Sequence, residues 1–446
     1  MEKYLSTERA NRLLLLATVL LVIWTTIELQ FTRIWGDILP GLVRTGISYT
    51  GEMLLVAMAF LVLIHPKIGR KHLLERLKNP LNFSLLLFFG FALFSMFINN
   101  VPFAQGIFGL RAIFQYALLF YILLAIEIPA GWVKKLFHLI IGLALFQSIV
   151  GFFQIAFLVP LPLRDVSERR SIAVGEEVRA FGLMDSSNTL AGFLVAVLLL
   201  VILYLFVFRA ELSKKQVLIY SVISVVLLTA IALTFSRQAF LALIGCIAII
   251  GIINRKKKAF RILIKGSIAL VVLFVVGYGL ALVFLEGFAQ RNLYTLDLTR
   301  NYRFLFILSG WEVFLLNPIT GVGPGMFGSN AAFFFNSPFH VFFHEDLPTT
   351  MRTVDNNFLY VIVEYGIIGV ALLAYFLFNV LKQMTFLSER ETHTERWVGL
   401  FVVTYAIAFV IMGLLSSAWE NHQIALLLWL FLGIGMNWYK KEKANG

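Results

Sequence analysis

Three arginines and one aspartate stand beside apolar stretches of the sequence. Arg179 and Asp355 each come shortly before a long apolar stretch. Arg237 occupies a short break between two such stretches, and Arg303 opens a shorter apolar segment. A guanidinium group presents paired donors that match phosphate oxygens two at a time, and a carboxylate can accept the proton of an attacking hydroxyl. Together these residue types indicate group transfer from a phosphorylated substrate.

Each of these residues also has a plain structural interpretation. An arginine at the end of an apolar helix can anchor it, or can pair with a carboxylate such as Glu176 or Glu312. Asp355 precedes an apolar stretch directly, where aspartate is a favoured helix cap. If Asp355 is only a cap, Glu420 and His422 are the next candidates for the proton acceptor. Glu364 is expected to be a buried structural partner, because it stands nine residues after Asp355, inside a predicted helix.

The surrounding sequence is that of an integral membrane protein. It has 446 residues, of which 60% are hydrophobic and only 14% charged, whereas a soluble domain carries roughly 25% charged residues. Apolar stretches long enough to cross a bilayer as helices recur along the chain. We therefore predict an all-α polytopic membrane protein, with residues 1–446 as a single membrane domain, and exclude a soluble enzyme. The net charge of +12 does not imply nucleic acid as a partner.

About twelve transmembrane helices are predicted, with both termini in the cytoplasm. With this orientation, 25 of the 37 basic residues fall in cytoplasmic segments, as expected for a multi-pass protein of the cytoplasmic (inner) membrane. The predicted spans are 13–31, 45–64, 81–98, 106–127, 133–159, 188–208, 217–235, 238–253, 262–285, 357–381, 398–415 and 424–438.

The twelve basic residues left for the outer side and the membrane interior are all arginine. Lysine would anchor helix ends as well as arginine does, so a set without lysine favours phosphate binding. An arginine at the membrane rim is costly unless it meets an anion or a carboxylate. The twelve are Arg33, Arg44, Arg111, Arg164, Arg169, Arg170, Arg179, Arg237, Arg291, Arg300, Arg303 and Arg352.

A long segment, 286–356, separates predicted helices nine and ten and is expected to be an extracytoplasmic loop. Apolar residues recur at helical spacing within 300–316, which predicts an amphipathic helix lying at the membrane surface. That helix is expected to end at Asn317-Pro318. Gly321-Val322-Gly323 follows, and it indicates a turn or a place of close backbone approach.

The motifs of soluble enzymes and of metal sites are missing from the sequence. There is no phosphate-binding lysine loop, no dinucleotide fingerprint and no pair of cysteines, since Cys246 is the only one. We therefore expect no cofactor and no metal, with arginine taking the place of the usual divalent cation.

Five segments together resemble the O-antigen ligase and polymerase family of membrane glycosyltransferases. The resemblance spans roughly residues 80–435 and includes the long loop before predicted helix ten. The segments are Gly151-Phe152-Phe153-Gln154; Arg179-Ala180-Phe181-Gly182 with Asn188 and Ala191; Ser236-Arg237-Gln238-Ala239; Arg303 with Trp311 and Asn317-Pro318-Ile319-Thr320-Gly321-Val322-Gly323; and Asp355-Asn356 with Glu364-Tyr365-Gly366-Ile367-Ile368-Gly369.

The sequence departs from the family pattern at one position. Family members that ligate O-antigen to lipid A-core carry a histidine directly before the asparagine that starts this helix, and here the residue is Asp355. An aspartate can accept a proton from an attacking hydroxyl in the same place. The resemblance therefore implies a polymerase-like member. A ligase acting on lipid A-core or on protein stays open.

The resemblance implies transfer of a glycan from an undecaprenyl-pyrophosphate carrier to an acceptor sugar hydroxyl on the outer face of the cytoplasmic membrane. Direct displacement of the pyrophosphate inverts the anomeric centre. The implied partners are the lipid-linked oligosaccharide donor, the glycan acceptor and membrane lipid. The expected catalytic residues are Asp355, Arg237 and Arg303, and the expected substrate-binding residues are Arg179, Arg300, Asn356, Gly321 and Gly323.

Two other classes of function are compatible with the composition. A flippase or exporter of the same lipid-linked glycan would also span the membrane many times, but transporters often show related halves and polar residues at mid-membrane. This sequence has no visible repeat, and its polar chemistry gathers on one side. A non-catalytic assembly scaffold would not need Asp355 together with three outer arginines. Both comparisons favour an enzyme.

Overall fold

A computed structural model describes residues 6–36, 46–65, 68, 79–157, 173–174, 177–253, 302–341 and 354–443 of the chain. In these residues the fold is helical, apart from one antiparallel pair of two-residue strands, β1 Ala173–Val174 and β2 Glu177–Val178. The helices before the strand pair are α1 Thr7–Gly36, α2 Thr50–Ile64, α3 Pro80–Ile98, α4 Phe103–Phe114, α5 Ala117–Ala125 and α6 Ala130–Ala156. Those after it are α7 Ser187–Val207, α8 Lys214–Leu233, α9 Arg237–Ile253, α10 Tyr302–Leu316, α11 Asn330–Phe334, α12 Pro338–Val341, α13 Asn357–Ser388, α14 His393–Gly413 and α15 His422–Lys443.

Seven helices within the described ranges are long and apolar enough to cross a membrane. They are Thr7–Glu28, Pro80–Ile98, Ala130–Ala156, Ser187–Val207, Lys214–Leu233, Asn357–Ser388 and His393–Gly413. Helices α4 and α5 are bent by 58° and make an eighth span if they are counted together. The chain is thus a multi-pass membrane protein, as predicted. The count of twelve spans stays a prediction, because α2 and α9 are shorter, α15 is not among the seven, and 262–285 lies outside the described residues.

Polar side chains at helix starts fix where several of these elements begin. Ser213 and Gln216 form a reciprocal capping box at the start of α8, so two backbone N–H groups find acceptors there. Ser186 accepts a hydrogen bond from the backbone N–H of Thr189 at 3.2 Å and caps α7. These caps satisfy donors that the helix itself leaves unpaired.

Helix α7 is the most buried span of the described bundle. Of its most apolar window, 83% is buried, against 22% for α8, which lies at the periphery. It packs against α6, α8, α9, α14 and α15. Trp397 of α14 is fully buried and donates from Nε1 to the carbonyl oxygen of Leu200 at 3.1 Å. The start of α7 is therefore held in place by a helix that is tightly packed inside the bundle.

Helix α13 is broken, whereas the sequence analysis treated 357–381 as one continuous span. Gly366 has φ +63° and ψ −166°, which interrupts the helix inside its apolar stretch. The preceding loop runs along the break, with Val322 N–H donating to Val363 O at 3.0 Å and Gly323 N–H donating to Glu364 O at 2.9 Å. The loop thus pairs carbonyl groups that the break would leave unsatisfied in an apolar interior.

A helix, α10, lies within the segment 300–316, where the spacing of apolar residues predicts one. Phe306, Gly310 and Val313 face the protein, and α10 contacts α13. Of the apolar residues whose spacing predicted this helix, Phe314 is buried, whereas Ile307, Leu308, Trp311 and Leu315 are exposed, Trp311 at 57%. Because both sets of residues are apolar, helical spacing alone could not identify the buried one. That α10 lies at the membrane surface stays a prediction.

Candidate functional site

Arg179 is held against the turn that directly precedes Arg237. The turn is Thr234-Phe235-Ser236, between the end of α8 and the start of α9. Arg179 donates from Nε to the carbonyl oxygen of Thr234 at 2.8 Å. Phe235 in this turn has φ +49°, a conformation that is strained for a bulky side chain. Two arginines separated by 58 positions in the sequence are thereby brought to one turn.

Two glutamines of α6 fix the segment that carries Arg179. Gln154 accepts hydrogen bonds through Oε1 from the N–H groups of Phe181 and Gly182, at 3.0 and 2.9 Å. Gln147 accepts one from Leu183 N–H at 2.7 Å. Gly182 has φ +60°, and a Cβ there would stand 2.5 Å from Gln147 Oε1. The sequence motif around Gln154 therefore serves to shape the backbone beside Arg179.

Arg237 is the first residue of α9, and its side chain is exposed. Among the residues the structure describes, it makes no ion pair or hydrogen bond. Pairing with a carboxylate was the plain alternative for this arginine, and no described carboxylate does so. Its guanidinium is thus not neutralised by any carboxylate in the part of the chain that the structure describes.

Asn356, and not Asp355, is the cap of α13. Asn356 Oδ1 accepts hydrogen bonds from the N–H groups of Phe358 and Leu359, both at 3.0 Å. The interpretation of Asp355 as the helix cap is therefore wrong. Asp355 is half-buried and directly precedes this cap. The oxygen of Asn356 is committed to the cap, so a contact of Asn356 with a substrate would have to come from its amide nitrogen.

Glu364 ties the loop after α10 to the interior of α13. Its side chain is fully buried. Oε1 accepts hydrogen bonds from Phe327 N–H at 3.0 Å and from Ser329 Oγ at 3.4 Å. The loop is also joined to the start of α13, because Val354 N–H donates to Gly328 O at 2.9 Å. The backbone just before Asp355 is therefore fixed from inside the bundle.

Gly321 and Gly323, predicted to bind substrate, lie in the buried part of this loop. A Cβ on Gly321 would stand 2.3 Å from the carbonyl carbon and oxygen of Glu364, and one on Gly323 would stand 2.3 Å from Val101 Cγ2. Both glycines have positive φ, +70° and +100°. Close packing and backbone conformation thus account for glycine at both positions without a substrate.

Glu420, in the 3-10 helix Ala418–Glu420 between α14 and α15, is tied to the same loop. Its Oε2 accepts hydrogen bonds from the backbone N–H of Asn330, at 3.2 Å, and from the Asn330 side chain. Its Oε1 is buried and has no hydrogen-bond partner among the described residues. Burial raises the pKa of Glu420 to about 7, against the opposing effect of the Asn330 hydrogen bonds. This carboxyl group can therefore change its charge near neutral pH.

The turn Thr234-Phe235-Ser236 and the start of α13 lie at the same end of the bundle. Thr189, next to Asn188 in α7, donates from Oγ1 to Asn421 Oδ1 at 3.2 Å. Two residues before Asn421, the backbone N–H of Trp419 donates to the side chain of Asn357 at 3.1 Å. A continuous set of polar contacts therefore links the neighbourhood of Arg179 to that of Asp355.

Arg111, one of the twelve arginines singled out by the sequence, has a partner within the protein. It forms an ion pair with Glu52 and donates to Gln115 Oε1 at 3.3 Å. Its guanidinium lies 5.3 Å from the ring centre of Tyr49 and 5.0 Å from that of Phe108. The phosphate interpretation is thus unnecessary for Arg111.

Two of the predicted site residues are described only in part or not at all. Arg303 lies in the first turn of α10, but its side chain is outside what the structure describes. Arg300 lies outside the described residues altogether.

Sequence reasoning gave no role to Asn188 or Asn330, which the structure brings into the site. The presence of Asn188 in the Arg179 motif was the available signal for the first, and nothing in the sequence marked the second.

Part of the chain matches a known protein family. Residues 222–374 match a family model described as O-antigen ligase. This range contains the Ser236-Arg237 turn, α10, the loop tied to Glu364 and the Asp355-Asn356 pair. A search of curated proteins found no match to the chain. The resemblance to the O-antigen ligase and polymerase family is confirmed by the family-model match.

Proposed function

We propose that this chain, which carries an O-antigen ligase domain over residues 222–374, transfers a glycan from an undecaprenyl-pyrophosphate carrier to an acceptor sugar hydroxyl. The observation that carries the proposal is the meeting of Arg179 and Arg237 at one turn, at the same bundle end as Asp355. Anion-binding groups and a proton acceptor are the two requirements of such a transfer.

The arginines stabilise the leaving group in this proposal. Negative charge develops on the pyrophosphate as the bond to the sugar breaks, and fixed positive groups lower the energy of that state. Arg179 is oriented by Thr234 O, and Arg237 is exposed beside it. In this proposal Arg303, in the first turn of α10, supplies a third guanidinium to the pyrophosphate. Arg300 is a further candidate for binding it. Orientation before the reaction is what makes such electrostatic help effective.

Asp355 accepts the proton of the attacking hydroxyl. The acceptor oxygen forms a new bond to the anomeric carbon while the bond from that carbon to the phosphate oxygen breaks. The proton passes to Asp355, and undecaprenyl pyrophosphate leaves with the bonding electrons. Because the attack comes from the side opposite the leaving group, the anomeric centre is inverted.

The proposed location is the outer face of the cytoplasmic membrane, with both termini inside. The charge distribution along the sequence supports this orientation. Reporter fusions test it independently of activity. Fusions within 302–341 should report an outer location, and fusions at either terminus should report an inner one.

The reaction is tested with purified protein, lipid-linked repeat units and detection of longer glycans. Arg237→Ala and Arg303→Ala should each abolish or strongly reduce product while leaving protein yield unchanged. Arg209→Ala is the matched control, because Arg209 is also exposed but lies at the opposite end of α8. Full activity of Arg237→Ala would refute the pyrophosphate assignment. Product formed in detergent, where there is no bilayer to cross, would separate an enzyme from a flippase.

A ligase is the second candidate, and the description of the matching family model favours it. Asp355 in place of the family's histidine favours a polymerase-like member instead. The two differ in what they need as acceptor. A polymerase extends lipid-linked repeat units supplied alone, whereas a ligase forms product only when lipid A-core, a protein or another separate acceptor is added.

A further inference from the structure

Asn188 contacts Arg179 and the residue directly before Arg237, and both contacts are hydrogen bonds to its amide oxygen. It is half-buried in the first turn of α7. Its Oδ1 accepts a hydrogen bond from Ser236 Oγ at 2.9 Å and a longer one from an Arg179 terminal nitrogen at 3.5 Å. Ser236 is the residue directly before Arg237. One amide therefore contacts both Arg179 and the Thr234–Ser236 turn that precedes Arg237.

The chemistry of Arg179 fixes which way this amide points. A guanidinium has donors only, so the group that faces it must be the amide oxygen and not the nitrogen. The amide nitrogen consequently points away from Arg179 and Ser236. It has no hydrogen-bond partner among the described residues, and it is not enclosed by them. Two N–H donors are thus presented near the Arg179 guanidinium and the turn that precedes Arg237.

We propose that Asn188 donates these N–H groups to the pyrophosphate of the donor, as a neutral ligand alongside Arg179 and Arg237. This inference rests on the proposed function, since it names a further residue of the same anion site. Ser236 acts as a positioning residue, because its hydroxyl holds the amide oxygen. A neutral donor adds a directed hydrogen bond without adding charge, so it favours one placement of the phosphate oxygens.

The competing explanation is that Asn188 only connects α7 to the segment that carries Arg179. The two explanations predict opposite results for Asn188→Asp. A carboxylate keeps both hydrogen bonds, and the bond to Arg179 becomes charge-assisted and stronger. The internal structure is therefore preserved or strengthened, while the outward donors are replaced by an acceptor that carries negative charge.

The experiment measures binding of geranylgeranyl pyrophosphate and of geranylgeraniol, which lacks phosphate, to the purified protein. We expect Asn188→Asp to weaken pyrophosphate binding about ten- to a hundredfold or more, the range for losing a hydrogen bond to a charged group. Binding of the alcohol should not change, and neither should the midpoint of thermal unfolding. Asn188→Ala should give a smaller loss in the same direction, and it decides the question if the aspartate variant does not fold.

Asn11→Asp is the control for an added negative charge. Asn11 lies on α1, fifteen residues before Thr26, which Gln147 contacts beside the site. That separation is about 22 Å along the helix. The control variant should bind pyrophosphate as the unaltered protein does.

The outcomes separate this inference from the proposed function. Unchanged pyrophosphate binding in Asn188→Asp, with loss in Arg237→Ala, would overturn the role of Asn188 and leave the function standing. Equal losses for pyrophosphate and alcohol would also overturn it, because they would indicate a structural defect. Absence of pyrophosphate binding by the unaltered protein would overturn both.

Discussion

The side-chain oxygen Oε1 of Glu364 accepts a hydrogen bond at 3.0 Å from the backbone N–H of Phe327, which joins the interior of the broken helix α13 to the loop before it. Glu364→Ala leaves this N–H and the Ser329 hydroxyl without their acceptor in a buried place, at about 1–3 kcal/mol for each. We expect a lower midpoint of thermal unfolding in detergent and loss of transfer activity. Glu364→Gln keeps an acceptor oxygen and should be much milder. Equal stability of the alanine variant would show that the loop is held by its backbone contacts alone.

The substitution Asp355→Asn tests whether Asp355 accepts the proton, because it leaves the cap of α13 in place. Because Asn356 supplies the cap, the substitution should leave the unfolding midpoint unchanged. An amide cannot take the proton, so the transfer rate should fall by about 10²–10⁴-fold. Binding of the lipid-linked donor should survive, since the arginines are untouched. A rate near that of the unaltered protein would exclude Asp355 as the base.

Removing the Asn356 cap itself gives the complementary result. Asn356→Ala should cost about 1 kcal/mol of stability, because two backbone N–H groups lose their acceptor. If Asp355→Ala shows the same loss of stability, Asp355 and Asn356 share the cap of α13.

Glu420 should make stability depend on pH. Its pKa is about 7 in the folded protein and 4.5 in the unfolded chain. Below pH 4.5 the carboxyl is protonated in both states. As pH rises towards 7 only the unfolded state releases its proton, so stability falls, and the loss levels off above pH 7 at no more than about 3 kcal/mol.

Glu420→Gln removes this titration while keeping an oxygen for Asn330. We therefore expect its unfolding midpoint to exceed that of the unaltered protein at pH 8 and to match it near pH 4.5. The measurement is thermal unfolding across this pH range in one detergent. Parallel curves for the two proteins would mean that Glu420 does not titrate between its two states.

Gly366→Ala should weaken the docking of the loop. A Cβ at this position would stand 2.3 Å from Ile319 O, and the backbone has φ +63°, so both sterics and conformation oppose alanine. Gly142→Ala in α6 is the matched control, because a Cβ there meets nothing within 4 Å. The control should keep or slightly raise the unfolding midpoint, and Gly366→Ala should lower it and reduce activity. Equal behaviour of the two variants would argue against the break as a structural requirement.

The membrane class and the position of most helices follow from the sequence, because long apolar stretches leave few other structures. The break at Gly366 does not follow from the sequence. The pattern around Glu364-Tyr365-Gly366-Ile367 predicts a continuous helix, because a single glycine does not by itself interrupt one. Only the loop that lies beside it makes the interruption stable. The length and hydropathy of a span cannot show such a contact.

The sequence could propose candidate site residues where a side chain carries distinctive chemistry. Arg179, Arg237 and Asp355 were identified by type and position. Asp355 and Asn356 are equally good caps in adjacent positions, so only the backbone geometry decides between them. The hydrogen bond between Asn330 and Glu420 joins residues 90 positions apart, and no local sequence pattern predicts it. Contacts of that kind come from packing.

The loop docked against the break of α13 should be unusual in its hydrogen exchange. Loop amides normally exchange fast, because water reaches them. Here the N–H groups of Val322, Gly323 and Phe327 are bonded to α13, and residues 321–329 are buried. Their deuterium uptake should therefore be as slow as that of the surrounding helices. A connection that joins two helices in sequence would then open only together with the core of the protein.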